Sequence, residues 1–215
     1  MPSLEYEIAW GALRGARVAG VDEVGRGPLA GPVIACALIL PPTCWSAPWV
    51  SELRDSKALS ARRRQALAAQ LETAADFAFG EASVAEIDSL NILRASDLAM
   101  QRALAGLADS NAVLVDGKRM PPLGLPGEAL VKGDARVASI AAASILAKVR
   151  RDALMADLAR LYPAYGWAQN AGYPTPAHHA ALQRNGMTPH HRRSFRGSLC
   201  RSSERVAASA PRKSR

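Results

Sequence analysis

The sequence predicts an α/β fold: a mixed sheet flanked by helices, with a small helical segment at the C-terminal end. Three observations predict it. Apolar runs of strand length at residues 17–24 and 32–40 are joined by a glycine-rich turn and read as an antiparallel pair. Further short apolar runs alternate with amphipathic helical stretches. From Tyr162 onward the composition changes to Pro, Gly, His, Tyr and Arg.

After the first pair, Ser60 is placed to cap a helix on which Leu67 and Leu71 fall four apart on one face. Residues 76–84 alternate apolar and polar as a third strand. Residues 85–108 read as a helix interrupted near Ser89–Asn91. "NAVLVDG" holds a short buried strand (112–115) ending at Asp116 and Gly117, and "GEALVKGDA" another ending at Lys132-Gly133-Asp134. A long helix over about 136–160 follows. Its first half, "VASIAAASILAKV", is rich in Ala and Ser, which lets a helix lie close against a sheet. In "TPAHHAALQRNG", Thr175 caps a last helix, Pro176 opens it and Gly186 ends it. These elements divide the chain into a domain over 1–160, a C-terminal helical segment over 161–196 and a basic tail over 197–215. No internal repeat is present.

The chain has 215 residues, 49% hydrophobic and 21% charged, as expected of a soluble globular protein. Glu5 and Glu7 in "MPSLEYEIAW" do not fit a signal peptide. The longest apolar stretch, "LAGPVIACALILPP", is too short and too proline-bounded to span a bilayer. Cys36, Cys44 and Cys200 are odd in number and in no ligand spacing, which fits reduced thiols in a cytoplasmic protein, with Cys36 in the core. No heptad seam or exposed apolar stripe is evident, so a monomer is expected. The net charge of +8 suggests an acidic partner such as nucleic acid, yet +5 of it lies in residues 196–215, a Ser/Ala/Arg stretch that reads as disordered. Composition alone therefore does not establish nucleic-acid binding.

The chemistry concentrates at strand ends. Asp22-Glu23, Asp116 and Asp134 each stand where a strand gives way to glycine-containing chain. One Asp-Gly is ordinarily an exposed turn, but carboxylates at the ends of sheet strands are how α/β folds build sites. Four of them converging would repel one another unless divalent cations neutralised them. Oxygen-only ligands point to Mg²⁺ or Mn²⁺, and two such ions ~3.5–4 Å apart can clamp the attacking and leaving oxygens of a phosphodiester. Adjacent residues on a regular strand point to opposite faces. Asp22 and Glu23 can thus serve one site only if the strand distorts, which the glycines downstream would permit, or if Glu23 contributes through another atom.

The ordered set "DEVGRGPLAGPV", "DSKALS", "EIDSLNILRASDLAMQRA", "VDG", "KGDARVASIAAASILAKVRRD", "GYPT" and "HHRRSF", spread from Arg17 to Phe195, resembles the bacterial ribonuclease HII family, the type 2 ribonucleases H. The resemblance implies an RNase H-like fold and metal-dependent cleavage of the RNA strand of RNA–DNA hybrids. It also implies cleavage of duplex DNA 5′ to an embedded ribonucleotide, leaving 5′-phosphate and 3′-hydroxyl ends. The family's metal-binding, catalytic acidic residues fall on Asp22, Glu23, Asp116 and Asp134; of these Asp134, at the edge of the set and just before a helix, is the choice for the weaker or transient ligand. Gly25-Arg26-Gly27 matches the element that reads the 2′-hydroxyl through its backbone; without a Cβ the main chain can come close to a sugar. Tyr173 matches the tyrosine that packs against the deoxyribose on the 3′ side. Lys57 is a phosphate contact on this resemblance, and Lys132, Lys148 and Arg192 are further candidates.

Two departures remove charge: Asn170-Ala171 stand where the family often has His-Lys, and Ala58 where a second lysine is common. The basic tail could compensate, since phosphate neutralisation is largely independent of sequence. His178-His179 and His190-His191 lack metal-ligand spacing, and the second pair reads as part of a basic patch or as a helix cap. Two other readings stand beside this one. An RNase H-like DNA nuclease or strand transferase would not need the Gly-Arg-Gly turn or "GYPT". A non-catalytic basic nucleic-acid binding protein would leave unexplained four carboxylates that repel phosphate.

Overall fold

A computed structural model describes residues 1–195; the basic tail predicted over 197–215 lies outside the described residues. In chain order the elements are helix α1 (Glu5–Ala9), strands β1 (Val18–Val24) and β2 (Val33–Ile39), helix α2 (Ala61–Ala74), strand β3 (Asp76–Ala82) and helix α3 (Val84–Ala105). Strands β4 (Ala112–Asp116) and β5 (Gly127–Leu130) follow, then helices α4 (Ala138–Leu161), α5 (Trp167–Asn170) and α6 (Pro176–Asn185). The sheet order is β3-β2-β1-β4-β5. The β1–β2 and β2–β3 pairs are antiparallel, and β1–β4 and β4–β5 are parallel, which makes the expected mixed sheet. Because Val21 of β1 lies opposite Val115 of β4, Asp22 and Asp116 stand side by side toward the same end of the sheet.

Both faces of the sheet are covered, so its central strands read as unbroken apolar runs. Ala19, Val21, Ala35, Ala37, Val113 and Val115 pack against α3. Cys36 and Leu38 pack with α2 and α4, where Leu67 and Leu71 are buried as their spacing predicts, and Leu114 meets Ile140 of α4. Helix α4 lies so close that a Cβ added at Gly20 would fall 2.3 Å from the carbonyl carbon of Ser139. Its Ala141–Ala143 are fully buried, and Ile140, Ile145 and Leu146 each stabilise the core by ~1.5–3 kcal/mol.

The predicted caps form. Ser60 accepts the Arg63 N–H at 3.2 Å, and Thr175 accepts that of His178 at 3.2 Å. Ser83 and Glu86 make a reciprocal capping box on α3. The expected interruption of α3 falls at Asn91, whose φ is 68° and whose Oδ1 restarts the helix by accepting the N–H groups of Leu93 and Arg94. One boundary differs. The strand expected to reach Gly133-Asp134 stops at Leu130, because Lys132 turns left-handed (φ 56°) and places Asp134 on a 3₁₀ turn ahead of α4.

The C-terminal segment has a small core of its own, in which Tyr165, Trp167 and Ala181 pack with Met155 of α4 and Ala30 of the β1–β2 loop. Asp88 of α3 accepts the N–H groups of Arg193 and Ser194, which fastens the end of the described chain. No helix among the described residues is long and apolar enough to cross a membrane.

Candidate active site

The four predicted carboxylates are neighbours at the end of β1 and β4. Asp22 is buried, and its carboxyl is pushed well above the usual range, first by burial and then by the charges of Glu23, Asp116 and Asp134. Burial also raises Glu23; the Arg26 guanidinium, 3.0 Å away, pulls it back, and Asp116 adds to the rise. Asp134 is raised by burial and then by Asp116 and Asp55, against the pull of Lys57. Asp116 accepts the Gly133 N–H at 2.7 Å, which ties the end of β4 to the turn carrying Asp134.

The strand does not distort at Asp22-Glu23, contrary to what the downstream glycines would permit. Pairing of β1 with β2 continues in register to Val24 opposite Ile34. Asp22 therefore shares the α4 face with Gly20, while Glu23 shares the α3 face with Val21, and Asp116 at the strand end meets both. On the α3 side Glu23, Arg26, Asp97, Asp116, Lys118 and Arg119 line a cavity of about 340 Å³. On the other side lies Lys57: burial works against its charge, but Asp55, Asp22 and Asp134 outweigh it and raise its pKa.

The donor set is all oxygen, anionic and mutually repelling, which fits hard divalent cations. Among the described residues no three His, Cys, Asp or Glu side chains close on a single coordination point.

The Gly25-Arg26-Gly27 turn follows at once. Gly25 has φ +98°, and a Cβ there would lie 2.3 Å from Arg151 Nε. Beneath the turn Arg192 is fully buried, which corrects its assignment as a phosphate contact. Its guanidinium donates to the carbonyls of Gly25 (2.5 Å), Arg26 (3.0 Å) and Gly31 (2.7 and 2.9 Å). Burial, and next the neighbouring Arg151 charge, hold its pKa below the usual arginine range. Arg151 is also fully buried and donates to the carbonyls of Ala30, Pro32 and Ala171. Since peptide groups are planar and trans, carbonyls of Gly25 and Arg26 drawn inward turn the N–H groups of Arg26 and Gly27 outward. Tyr173 stands beside them, 40% exposed, with its ring against Gly27: a Cβ there would lie 3.4 Å from Tyr173 Cε1.

The remaining predicted contacts divide. Lys132 is exposed, whereas Lys148 is paired with Asp152 at 2.6 Å. Ala58 sits exposed on the 3₁₀ turn beside Lys57. Asn170 spends its side chain internally, accepting from the Gly172 N–H and donating to the Tyr165 carbonyl. His191 is not part of a surface basic patch. It is buried with His178 among Tyr165 and Trp167, because residues 190–192 pair with 29–31 and carry it inward. The sequence reading missed Arg151. Its signal was present: Ala147, Arg151 and Met155 continue the buried stripe of α4 at intervals of four.

The profile of the family described as Ribonuclease HII matches residues 19–198. The ribonuclease HII of Paracoccus denitrificans is 61% identical over 196 residues, covering 89% of this chain and 91% of that one. The ribonuclease HII of Rhodospirillum rubrum is 57% identical over 198 residues, covering 91% and 89%. Among solved structures, the ribonuclease H2 of Pyrococcus horikoshii superposes with a TM-score of 0.71 at 27% identity, over 89% of this chain and 99% of that one. A Bst-RNase HIII in complex with Mn²⁺ shares the fold, with a TM-score of 0.63 at 17% identity over 88% and 71%.

Proposed function

The chain belongs to the ribonuclease HII family and is an endoribonuclease acting on RNA–DNA hybrids, and from that premise we propose how its residues divide the work. Ribonucleases H depend on divalent metal ions. Asp22, Glu23, Asp116 and Asp134 hold Mg²⁺ or Mn²⁺, with Glu23, on the opposite face of the undistorted strand, contributing through another atom and Asp134, on a turn outside the sheet, as the weaker ligand. The Mn²⁺ in the Bst-RNase HIII complex supports this choice of ions. When bound, the cations supply Lewis-acid polarisation of the phosphate and a more acidic attacking water.

The chain's own groups supply selectivity. The outward N–H groups of Arg26 and Gly27 meet the 2′-hydroxyl, and the Tyr173 ring packs on the next sugar, where it excludes a further hydroxyl. Lys57, on the Asp22 side of the cluster, takes a phosphate. Cleavage falls 5′ to the ribonucleotide and leaves 5′-phosphate and 3′-hydroxyl ends.

The observation that carries this reading is the buried Asp22 carboxyl, crowded by three others next to a turn whose amides face outward. The test is cleavage of a DNA duplex carrying one ribonucleotide against the matched all-DNA duplex, with Mg²⁺, Mn²⁺ or chelator, for wild type and Asp116→Asn. One metal-dependent nick at the 5′ side of the ribonucleotide, absent in the variant, is expected. Cutting of both duplexes would refute the role of the turn, and activity in chelator would refute the metal site.

A further inference from the structure

Two imidazoles face each other beneath Tyr173. His178 is 0% exposed and His191 2%, with their Nε2 atoms 3.1 Å apart. Their other contacts assign the tautomers. The Thr188 N–H donates to His191 Nδ1 at 2.9 Å, so His191 carries its hydrogen on Nε2 and donates it to His178. His178 Nε2 also accepts the Trp167 indole N–H at 3.1 Å, which leaves the His178 hydrogen on Nδ1, 2.9 Å from the Tyr173 carbonyl. All four ring nitrogens are satisfied with both rings neutral. Burial is the main cause holding both pKa values down, with the facing imidazole adding to it for His191.

This chain of hydrogen bonds joins the two sugar-facing elements. One end grips the backbone of Tyr173. The other end is His191, where the hydrogen bonds stop and the peptide bond leads to Arg192, whose guanidinium grips the Gly25 and Arg26 carbonyls. The Tyr173 ring against Gly27 closes the circuit. Packing alone does not call for this arrangement. Tyr165 and Trp167 surround both rings, and replacing a buried polar pair as a whole by apolar groups is often neutral, whereas removing His178 alone leaves the Trp167 and His191 N–H groups without their acceptor.

We propose that His178 and His191 are positioning residues that set the gap between the Tyr173 ring and the Gly25–Gly27 turn, and so the preference for a ribose followed by a deoxyribose. The proposal rests on the reading that the turn and Tyr173 recognise the two sugars.

The readout is the ratio of kcat/KM on a duplex with a single ribonucleotide to that on a uniform RNA–DNA hybrid, because only the former presents a deoxyribose to Tyr173. Each variant is accompanied by its thermal midpoint. Tyr173→Ala is expected to lower the ratio, and His178→Leu to lower it by about tenfold, the scale of one lost positioning hydrogen bond. In the double variant the ratio should equal that of Tyr173→Ala alone, since His178 acts only through Tyr173. If the leucine variant fails to fold, His178→Asn, which can still donate from the place of Nδ1, should keep the ratio, while His178→Gln should lose it. An unchanged ratio in Tyr173→Ala would remove the underlying sugar reading. A shift in Tyr173→Ala with none in the His178 variants, or an additive double variant, would overturn this proposal and leave that reading standing.

Discussion

Gly25 and Gly27 sit two residues apart in one turn, yet alanine should cost stability at the first and activity at the second. At Gly25 the backbone is left-handed, which disfavours a residue with a Cβ by ~1–2 kcal/mol. The new methyl would lie 2.3 Å from Arg151 Nε and 2.7 Å from the Pro32 carbonyl, so it breaks the 3.1 Å bond between them. An orphaned buried carbonyl adds ~1–3 kcal/mol. Together these place Gly25→Ala roughly 2–5 kcal/mol below wild type, which for a chain of this size lowers Tm by about 5–15 °C. At Gly27 no left-handed backbone is required, and the methyl meets only Tyr173 Cε1 at 3.4 Å, a half-exposed ring free to give. Stability should change by less than ~1 kcal/mol. The effect appears in function instead, because the methyl stands where the sugar must reach the backbone; loss of one such neutral hydrogen bond, ~0.5–1.5 kcal/mol, lowers kcat/KM by about 2- to 13-fold. The assay pairs thermal melts with cleavage of an RNA–DNA hybrid. A Gly27→Ala protein that melts as early as Gly25→Ala, or that cuts the hybrid as well as wild type, would refute the reasoning.

Asp22→Asn should abolish cleavage and yet raise Tm in chelator, since it removes a buried charge repelled by three neighbours. Because the folded Asp22 pKa is raised, its contribution to stability is present below the unfolded value of 3.8 and is lost as pH rises through the folded value. A melt series in chelator should show that loss in wild type and not in the variant. His191 has the opposite sign: its folded pKa, lowered to about 4 chiefly by burial, makes stability complete above the unfolded 6.5 and progressively lost as pH falls toward 4. His191→Leu should flatten that acid limb, and an unchanged limb would mean that another group carries it. Arg192→Met leaves the Gly25, Arg26 and Gly31 carbonyls without their donor, a loss of about 3 kcal/mol or more, readable as a lower urea midpoint. Arg192→Lys should not restore it, because one ammonium cannot span a fork of three carbonyls.

What the sequence by itself determined was whatever depends on local pattern. Strand runs, caps, the break at Asn91 and the carboxylates at the ends of β1 and β4 all follow from side-chain periodicity and backbone chemistry within a few residues, and so could be placed by number. Even the opposed directions of Asp22 and Glu23 followed from the period of a strand. Local pattern could not determine which charged and aromatic-flanked residues of the C-terminal stretch face inward. In the sequence Arg192 has the chemistry of a phosphate ligand and His191 that of a basic patch. Only the tertiary structure, by pairing residues 190–192 with 29–31, buries both, and makes one the anchor of the Gly-Arg-Gly turn and the other a link to Tyr173. Those contacts join segments about 160 residues apart in the chain, and a side chain's environment at that separation is set by packing, which no short stretch of sequence encodes.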